Sequence, residues 1–502
     1  MISKEIGRDT MHKANSVGKE AILLTVSKMM TLLITLVTSM MLSRFCTFEE
    51  YGTYSQILLV VTLFASIFML GLPNSINYFL AKANDAEEQR RFLSVYYSVS
   101  TLLSVIMGIA LVCAAPLISA YFKNQAILTF VYFLLLYPWA NVTASSIENV
   151  LVVYHKTHIL VVYRIVNSLC LLAAVVVAQW FEIGFKGYML VNLILYCLFA
   201  LAVYIIVYRI SGGFRFSLNK KLILSIFYFS LPLGLSSVVG TLNIEIDKLL
   251  IGYLMDTEQL AIYTNASKEL PVSFVAASIT AVLLPRLTKM LEKALDQKAV
   301  ALWGHATELS YLLISLISFG VFTYAEDVMS LLYSEKYLPG LAVFRVYTLI
   351  LLLRCTYFGM ILNARGRTKE IFYASIASLG LNVILNPLMY WWLGMIGPAL
   401  ATFISMFVVL LWQLQQTAKC TKMPFSKVFP WKRIGITTLV NILFAVVFYA
   451  LKQFLPLETW FSSIVESIIL GGAWTVSYLF VMRKAIKRSW KGLNQGGEEL
   501  EV

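Results

Sequence analysis

Runs of about 20 apolar residues recur along almost the whole chain, and short polar stretches separate them. A bilayer core needs about 20 apolar residues of helix to cross it. Fourteen runs meet that length: 21–43, 54–80, 92–114, 126–150, 159–181, 187–209, 223–247, 260–284, 301–323, 341–363, 371–392, 397–417, 434–454 and 460–482. The connections leave no room for a sizeable soluble domain. The pattern predicts an all-α integral membrane protein with 14 transmembrane helices.

Lys and Arg alternate strictly from one connection to the next. One side holds 29 of the 40, the other holds 6 (Arg44, Lys123, Lys186, Lys248, Lys336 and Lys452), and 5 lie in or at the edges of spans. Positive residues stay cytoplasmic, so both termini are expected in the cytoplasm. The basic N-terminus precedes an apolar run with no small-residue cleavage site, which reads as a retained span and not a signal peptide.

A repeat emerges at an offset of 209 residues: MDTEQLAIYTN, with Tyr263, lies over CTFEEYGTYSQ, with Tyr54. Each copy follows the first span of its half. Six spans is an even number, so the halves run in the same direction through the membrane. The expected domains are a six-helix bundle at 1–210, a second at 211–420, and two additional helices with a basic tail at 421–502. Two parallel-oriented repeats of this kind are expected to surround a central cavity.

The first spans of both halves carry a polar face. Thr25, Lys28, Thr31, Thr35 and Thr38 share one side of a helix, as do Ser230, Gly234, Ser237, Thr241, Glu245 and Lys248. Small and hydroxylated residues also serve helix packing, so they decide nothing alone. Ionisable groups are more telling, because each costs about 2.5–3.5 kcal/mol at the centre of a bilayer and needs a partner or water. The cations Lys28, Lys268, Arg345 and Arg354 are the candidates for a substrate cavity. Glu148, Asp247, Lys248, Glu269 and Glu308 are candidates for coupling or for structural ion pairs, with Arg164 a partner for Glu148. Tyr347 and Tyr357 share the helix face of Arg354, a pairing that suits phosphate and sugar contact or a packed cation–π cluster. Trp180, Trp391, Trp392, Trp431 and Trp460 stand near span boundaries and read as interface anchors.

Composition agrees with this picture and narrows the chemistry. The chain is 59% hydrophobic and 13% charged, against about 25% charged in soluble domains, and its mean hydropathy is +0.77. The net charge of +13 follows the topology, which argues against nucleic-acid binding. The six Cys are scattered and form neither a disulfide frame nor a metal cluster. The four His have no metal-ligand spacing. No G-x-x-x-x-G-K-S/T loop or D-x-D pair occurs, so neither nucleotide hydrolysis nor metal-dependent glycosyl transfer is expected, nor any cofactor.

Two stretches resemble a known family: LSRFCTFEEYGTYSQ followed by GLPNSINYFLAK, and IDKLLIGYLMDTEQLAIYTNASKELPVSFVAASITAVLLPRL. They are similar to the Wzx-type oligosaccharide flippases, in the exporter superfamily that also holds the MurJ and MATE proteins. The resemblance implies a transporter and not an enzyme, with a cavity opening alternately to either side of a bacterial cytoplasmic membrane. It implies an undecaprenyl-diphosphate-linked glycan as cargo, for lipopolysaccharide, O-antigen or capsule export, and a polysaccharide polymerase or chain-length regulator as partner. A lipid II-like precursor and a MATE-like small-molecule cargo remain alternatives. MATE exporters typically have twelve spans, so the extra pair favours the polysaccharide branch. The arginine-rich first span of the MurJ branch is missing; Lys28 is the cation there.

Overall fold

The computed structural model describes residues 2–455 and 462–498, so Trp460 and the start of the last expected span lie outside the described residues. Among the described residues all regular structure is helical. In order the helices are α1 (Ile2–Phe45), α2 (Phe48–Met69), α3 (Leu72–Lys82), α4 (Ala86–Phe122), α5 (Ala126–Thr129), α6 (Val131–Val153), α7 (Thr157–Trp180), α8 (Gly184–Ser211), α9 (Lys220–Leu254) and α10 (Thr257–Ala266). A 3-10 turn, Pro271–Ser273, leads into α11 (Phe274–Glu292), α12 (Asp296–Thr323) and α13 (Ala325–Tyr333). Then come α14 (Leu341–Leu353), α15 (Met360–Ala364), α16 (Thr368–Leu393), α17 (Ile396–Thr421), α18 (Phe425–Val428), α19 (Trp431–Phe454) and α20 (Ser463–Glu498).

Thirteen helical stretches are long and apolar enough to cross a membrane, and each matches one expected span. The protein is a multi-pass membrane protein. The remaining expected span falls on α6, which is 23 residues long. Asn141, Thr143, Ser145, Ser146, Glu148 and Asn149 interrupt its apolar run. Part of that polar surface is turned into protein: Thr143 and Ser146 are buried, and the Ser146 hydroxyl lies 2.9 Å from that of Tyr97 on α4.

The 209-residue offset reappears in the helix boundaries. α1 ends at Phe45 and α9 at Leu254; α2 begins at Phe48 and α10 at Thr257. The N-caps correspond as well. Thr47 accepts from the Glu50 N–H at 3.2 Å and completes a capping box, while Asp256 accepts from the Gln259 N–H at 2.7 Å.

The chain divides into two compact units, Met1–Glu245 with Gly252–Ala261, and Ile246–Ile251 with Ile262–Val502. In the first, α1 packs on α7, and α6 packs against both α4 and α8. The expected span 54–80 is not continuous: Leu70 (φ 40°) and Gly71 (φ 73°) are left-handed and separate α2 from α3. The break meets α9 backbone to backbone. A Cβ on Gly71 would lie 2.6 Å from the Gly234 nitrogen, and one on Gly234 would lie 2.1 Å from the Leu70 carbonyl carbon. Only glycine permits that approach.

In the second unit, Trp303, Leu287, Tyr311, Ile314 and Leu414 belong to one buried core. A second core joins α12 to the last two long helices through Leu312, Phe319, Phe448, Trp474 and Tyr478. Glu308 on α12 reinforces the join. It is 2% exposed and pairs with Arg433 of α19 at 3.0 Å and with Arg488 of α20. Arg433 also reaches His305 at 3.3 Å. Outward-facing Leu439, Leu443 and Val446 on α19 are exposed, as residues that meet lipid should be.

Candidate functional site

Two expected spans of the second unit are interrupted. In span 260–284 the helix stops at Ala266 and restarts through the turn at Pro271. Pro271 explains the stop: it lacks an N–H and forces Leu270 into extended backbone (φ −67°, ψ 143°). In span 341–363 the helix stops at Leu353 and restarts at Met360. No proline lies between, and side chains occupy that break instead. The Thr356 hydroxyl accepts from Trp303 Nε1 at 2.9 Å and from Thr307 at 3.2 Å, while Cys355 is buried. Non-helical backbone at membrane depth survives only when buried in protein or lining a wet cavity.

The two breaks are joined by charge. Glu269 lies in the first and Arg354 closes the helix before the second, and the two side chains form an ion pair. Both remain partly accessible, at 28% and 34%. One guanidinium nitrogen, Nε of Arg354, is buried with no hydrogen-bond partner. Arg354 opens onto a cavity of about 600 Å³ whose polar lining is Thr280, Thr356, Tyr357, Ser378 and Gln413. A fork with unused donors beside hydroxyls, an amide and a phenol is chemistry for a phosphate or a sugar.

The other candidates lie in different settings. Asp247 is 1% exposed; its Oδ2 accepts from Tyr263 at 2.8 Å and from Tyr347 at 2.5 Å, and its Oδ1 accepts from the Lys248 N–H at 2.8 Å. Tyr347 lies on α14, within the electrostatic reach of Glu269. Lys268 sits in the first break, half-buried, where the charge of Lys248 reaches it. Arg345, near the start of α14, faces a different cavity from Arg354. Glu308 belongs to the α12–α19–α20 join described above. In the first unit Glu148 pairs with Arg164. Lys28 is exposed on α1, with no ion pair among the described residues.

Sequence reasoning passed over several buried polar groups. Asn382 and Asn386 on α16, and Thr402 and Ser405 on α17, each hold a buried side-chain atom that no protein group satisfies. Both pairs sit one helical turn apart, a spacing visible in the sequence. Glu466 on α20 is fully buried, and neither carboxylate oxygen has a hydrogen-bond partner. Being an acid within an apolar run, it carried the same signal that singled out Glu308.

Known proteins place this architecture. The chain is similar to a probable low-salt glycan biosynthesis flippase, Agl15, of Haloferax volcanii, at 20% identity over 231 residues, covering 45% of this chain and 48% of that protein. It is similar to the capsular polysaccharide biosynthesis protein CapF of Staphylococcus aureus, at 25% identity over 199 residues, covering 37% and 48%. The chain thus spans about half the length of these relatives. Its fold is that of the lipid II flippase MurJ in an inward closed conformation, with a TM-score of 0.74 at 18% identity, covering 93% of this chain and 100% of MurJ. The family model described as "Polysaccharide biosynthesis protein" matches residues 17–291, more than half of the sequence, and the chain belongs to that family.

Proposed function

We propose that this protein flips a lipid-linked oligosaccharide across the membrane, from the cytoplasmic to the outer leaflet, by alternating access. The cargo is a polysaccharide repeat unit on undecaprenyl diphosphate, and the membrane is the bacterial cytoplasmic membrane. Membership of the polysaccharide biosynthesis family, the MurJ-like fold and the flippase relative all support this reading. One observation carries it further: an arginine with unused donors opens onto a cavity whose largely apolar wall carries hydroxyls, a phenol and an amide, where two membrane helices are interrupted. Interrupted helices are where transporters of several folds bind cargo.

In this reading Arg354 exchanges Glu269 for the diphosphate. A guanidinium fork matches phosphate oxygens bidentately, and low local dielectric strengthens the contact. Tyr357 offers a ring to the first sugars. Lys28 and Lys268 serve as further cationic contacts along the route. Asp247, held by two tyrosine hydroxyls, is the coupling group, and Tyr347 links it to the Glu269–Arg354 pair. No nucleotide loop is present in the sequence, so the drive is an ion gradient, the membrane potential or consumption of the product. Residues 1–210 and 211–420 are the two six-helix repeats, and 421–502 is the additional pair. A polysaccharide polymerase or chain-length regulator receives the flipped product.

The test measures surface-glycan export and membrane abundance in the same strains. Arg354→Ala should cut export about tenfold or more at unchanged abundance, the worth of a charge-assisted hydrogen bond. Arg354→Lys should fare little better, since it lacks the fork. Normal export in both variants would refute the assignment. Orientation is tested separately. Cysteines at Lys186 and Lys336 should react with an impermeant maleimide added outside, and ones at Lys220 and Lys427 should not; the reverse pattern would invert the topology.

A further inference from the structure

A second cavity, of about 940 Å³, lies in the second unit, where α12 and α19 end and α20 begins. The sequence topology puts this end outside. Its charged lining is Glu326, Asp327, Arg345 and Lys452. Lys452 is fully engaged: its ammonium donates to Asp327, and to the Ser463 and Ser467 hydroxyls at 3.0 Å each. Ser463 and Ser467 in turn each donate to Asp327 at 2.6 Å. Burial pushes the Asp327 carboxyl up, but these hydrogen bonds and the lysine charge more than reverse it. The carboxyl therefore ends below its ordinary range, ionised and committed to Lys452.

Arg345 is not committed. Its guanidinium lies 5.9 Å above the Phe322 ring, its Nε is buried without a hydrogen-bond partner, and it has no ion pair among the described residues. Glu326, the remaining charge on the rim, is exposed to solvent. A narrower groove of about 380 Å³ shares Tyr324 and Asp327 with this cavity and runs between α12 and α20. Its walls include Ile317, Leu331 and Ile468. Gly320 and Gly471 line it, and a Cβ on either would meet nothing within 4 Å.

A cation with unused donors at one end and an apolar channel leading from it match one kind of molecule. We propose that these joined cavities bind an anionic phospholipid of the outer leaflet, with its phosphate on Arg345 and one acyl chain in the α12–α20 groove. The occupant is a resident lipid that braces the last two helices against α12, and is separate from the cargo. The proposal does not depend on what the protein transports.

The experiment titrates the purified full-length protein in detergent with phosphatidylglycerol, phosphatidylcholine and undecaprenyl phosphate. Native mass spectrometry counts retained lipids, and the melting temperature reports stabilisation. Phosphatidylglycerol should be retained and should raise the melting temperature saturably, more than phosphatidylcholine does. Arg345→Gln should weaken its apparent affinity about tenfold, as loss of a charged hydrogen bond would. Gly471→Leu, which fills the groove without touching the charge, should weaken it similarly, and Arg345→Lys should retain part of it. Wild-type binding of phosphatidylglycerol by both Arg345→Gln and Gly471→Leu would overturn the proposal. So would undecaprenyl phosphate outcompeting phosphatidylglycerol, because the cavities would then belong to the cargo.

Discussion

In the first unit the buried polar side chains are neutral: Ser, Thr, Asn and Gln, such as Gln56, Asn124 and Asn192. Some of them pair with one another. Asn124, for example, donates to Gln56 at 2.7 Å and to Thr53 at 2.8 Å. In the second unit the buried set includes four carboxylates, Asp247, Glu308, Asp327 and Glu466, and among the described residues the first unit has none. A neutral hydrogen bond contributes about 1 kcal/mol net, whereas a buried ion costs several kcal/mol unless it is paired. The first unit is therefore organised as a neutral scaffold. The second holds the groups that respond to charge, and its interrupted helices hold the partly accessible Glu269–Arg354 pair.

The largest expected effect probes that contrast at Glu308. Replacing both Arg433 and Arg488 by Gln leaves a carboxylate at 2% exposure without its cations, and should cost about 3–5 kcal/mol. Glu308→Gln should cost only about 1 kcal/mol, because the two arginines, at 38% and 52% exposure, can turn to water. Thermal unfolding of the purified variants gives the comparison. Equal losses would mean that burial of the carboxylate is not what makes the join costly to break.

A smaller effect is expected in the neutral unit. Gly234→Ala drives a methyl into the Leu70 backbone, and should cost about 1–3 kcal/mol, the usual range for overpacking. The loss should not change with salt, since no charge is involved, whereas that of the arginine pair should. A salt-dependent loss at Gly234 would blur the distinction between the units.

Much of the architecture was legible in the sequence because its signals are local. Hydropathy marks each span, and Lys and Arg mark each connection. The 209-residue echo marks a repeat whose helix ends and N-caps recur at the same offset. Pro271 marks one break. The other break was invisible, because nothing between Arg354 and Gly359 forbids a helix, and what occupies it is tertiary, such as the Thr356 contacts to Trp303 and Thr307. Of the site, the residue types and the Glu148–Arg164 pair were legible, and most of the other pairings were not. Arg354 and Arg345 stand in one expected span and look alike in sequence, yet one meets a carboxylate and the other an aromatic ring. Glu269 had a neighbour of opposite charge in Lys268, but adjacent residues do not face each other on a helix, and its partner is Arg354.

The central claim is that Arg354 serves the cargo and not only Glu269. Charge reversal separates the two roles. Arg354→Glu alone places two carboxylates together and should lower both membrane abundance and export. The double variant Arg354→Glu/Glu269→Arg restores an ion pair across the two breaks. It should recover abundance while export stays at the level of Arg354→Ala, because the positive charge now projects from the other break. Recovery of export together with abundance would contradict the account and make the pair purely structural.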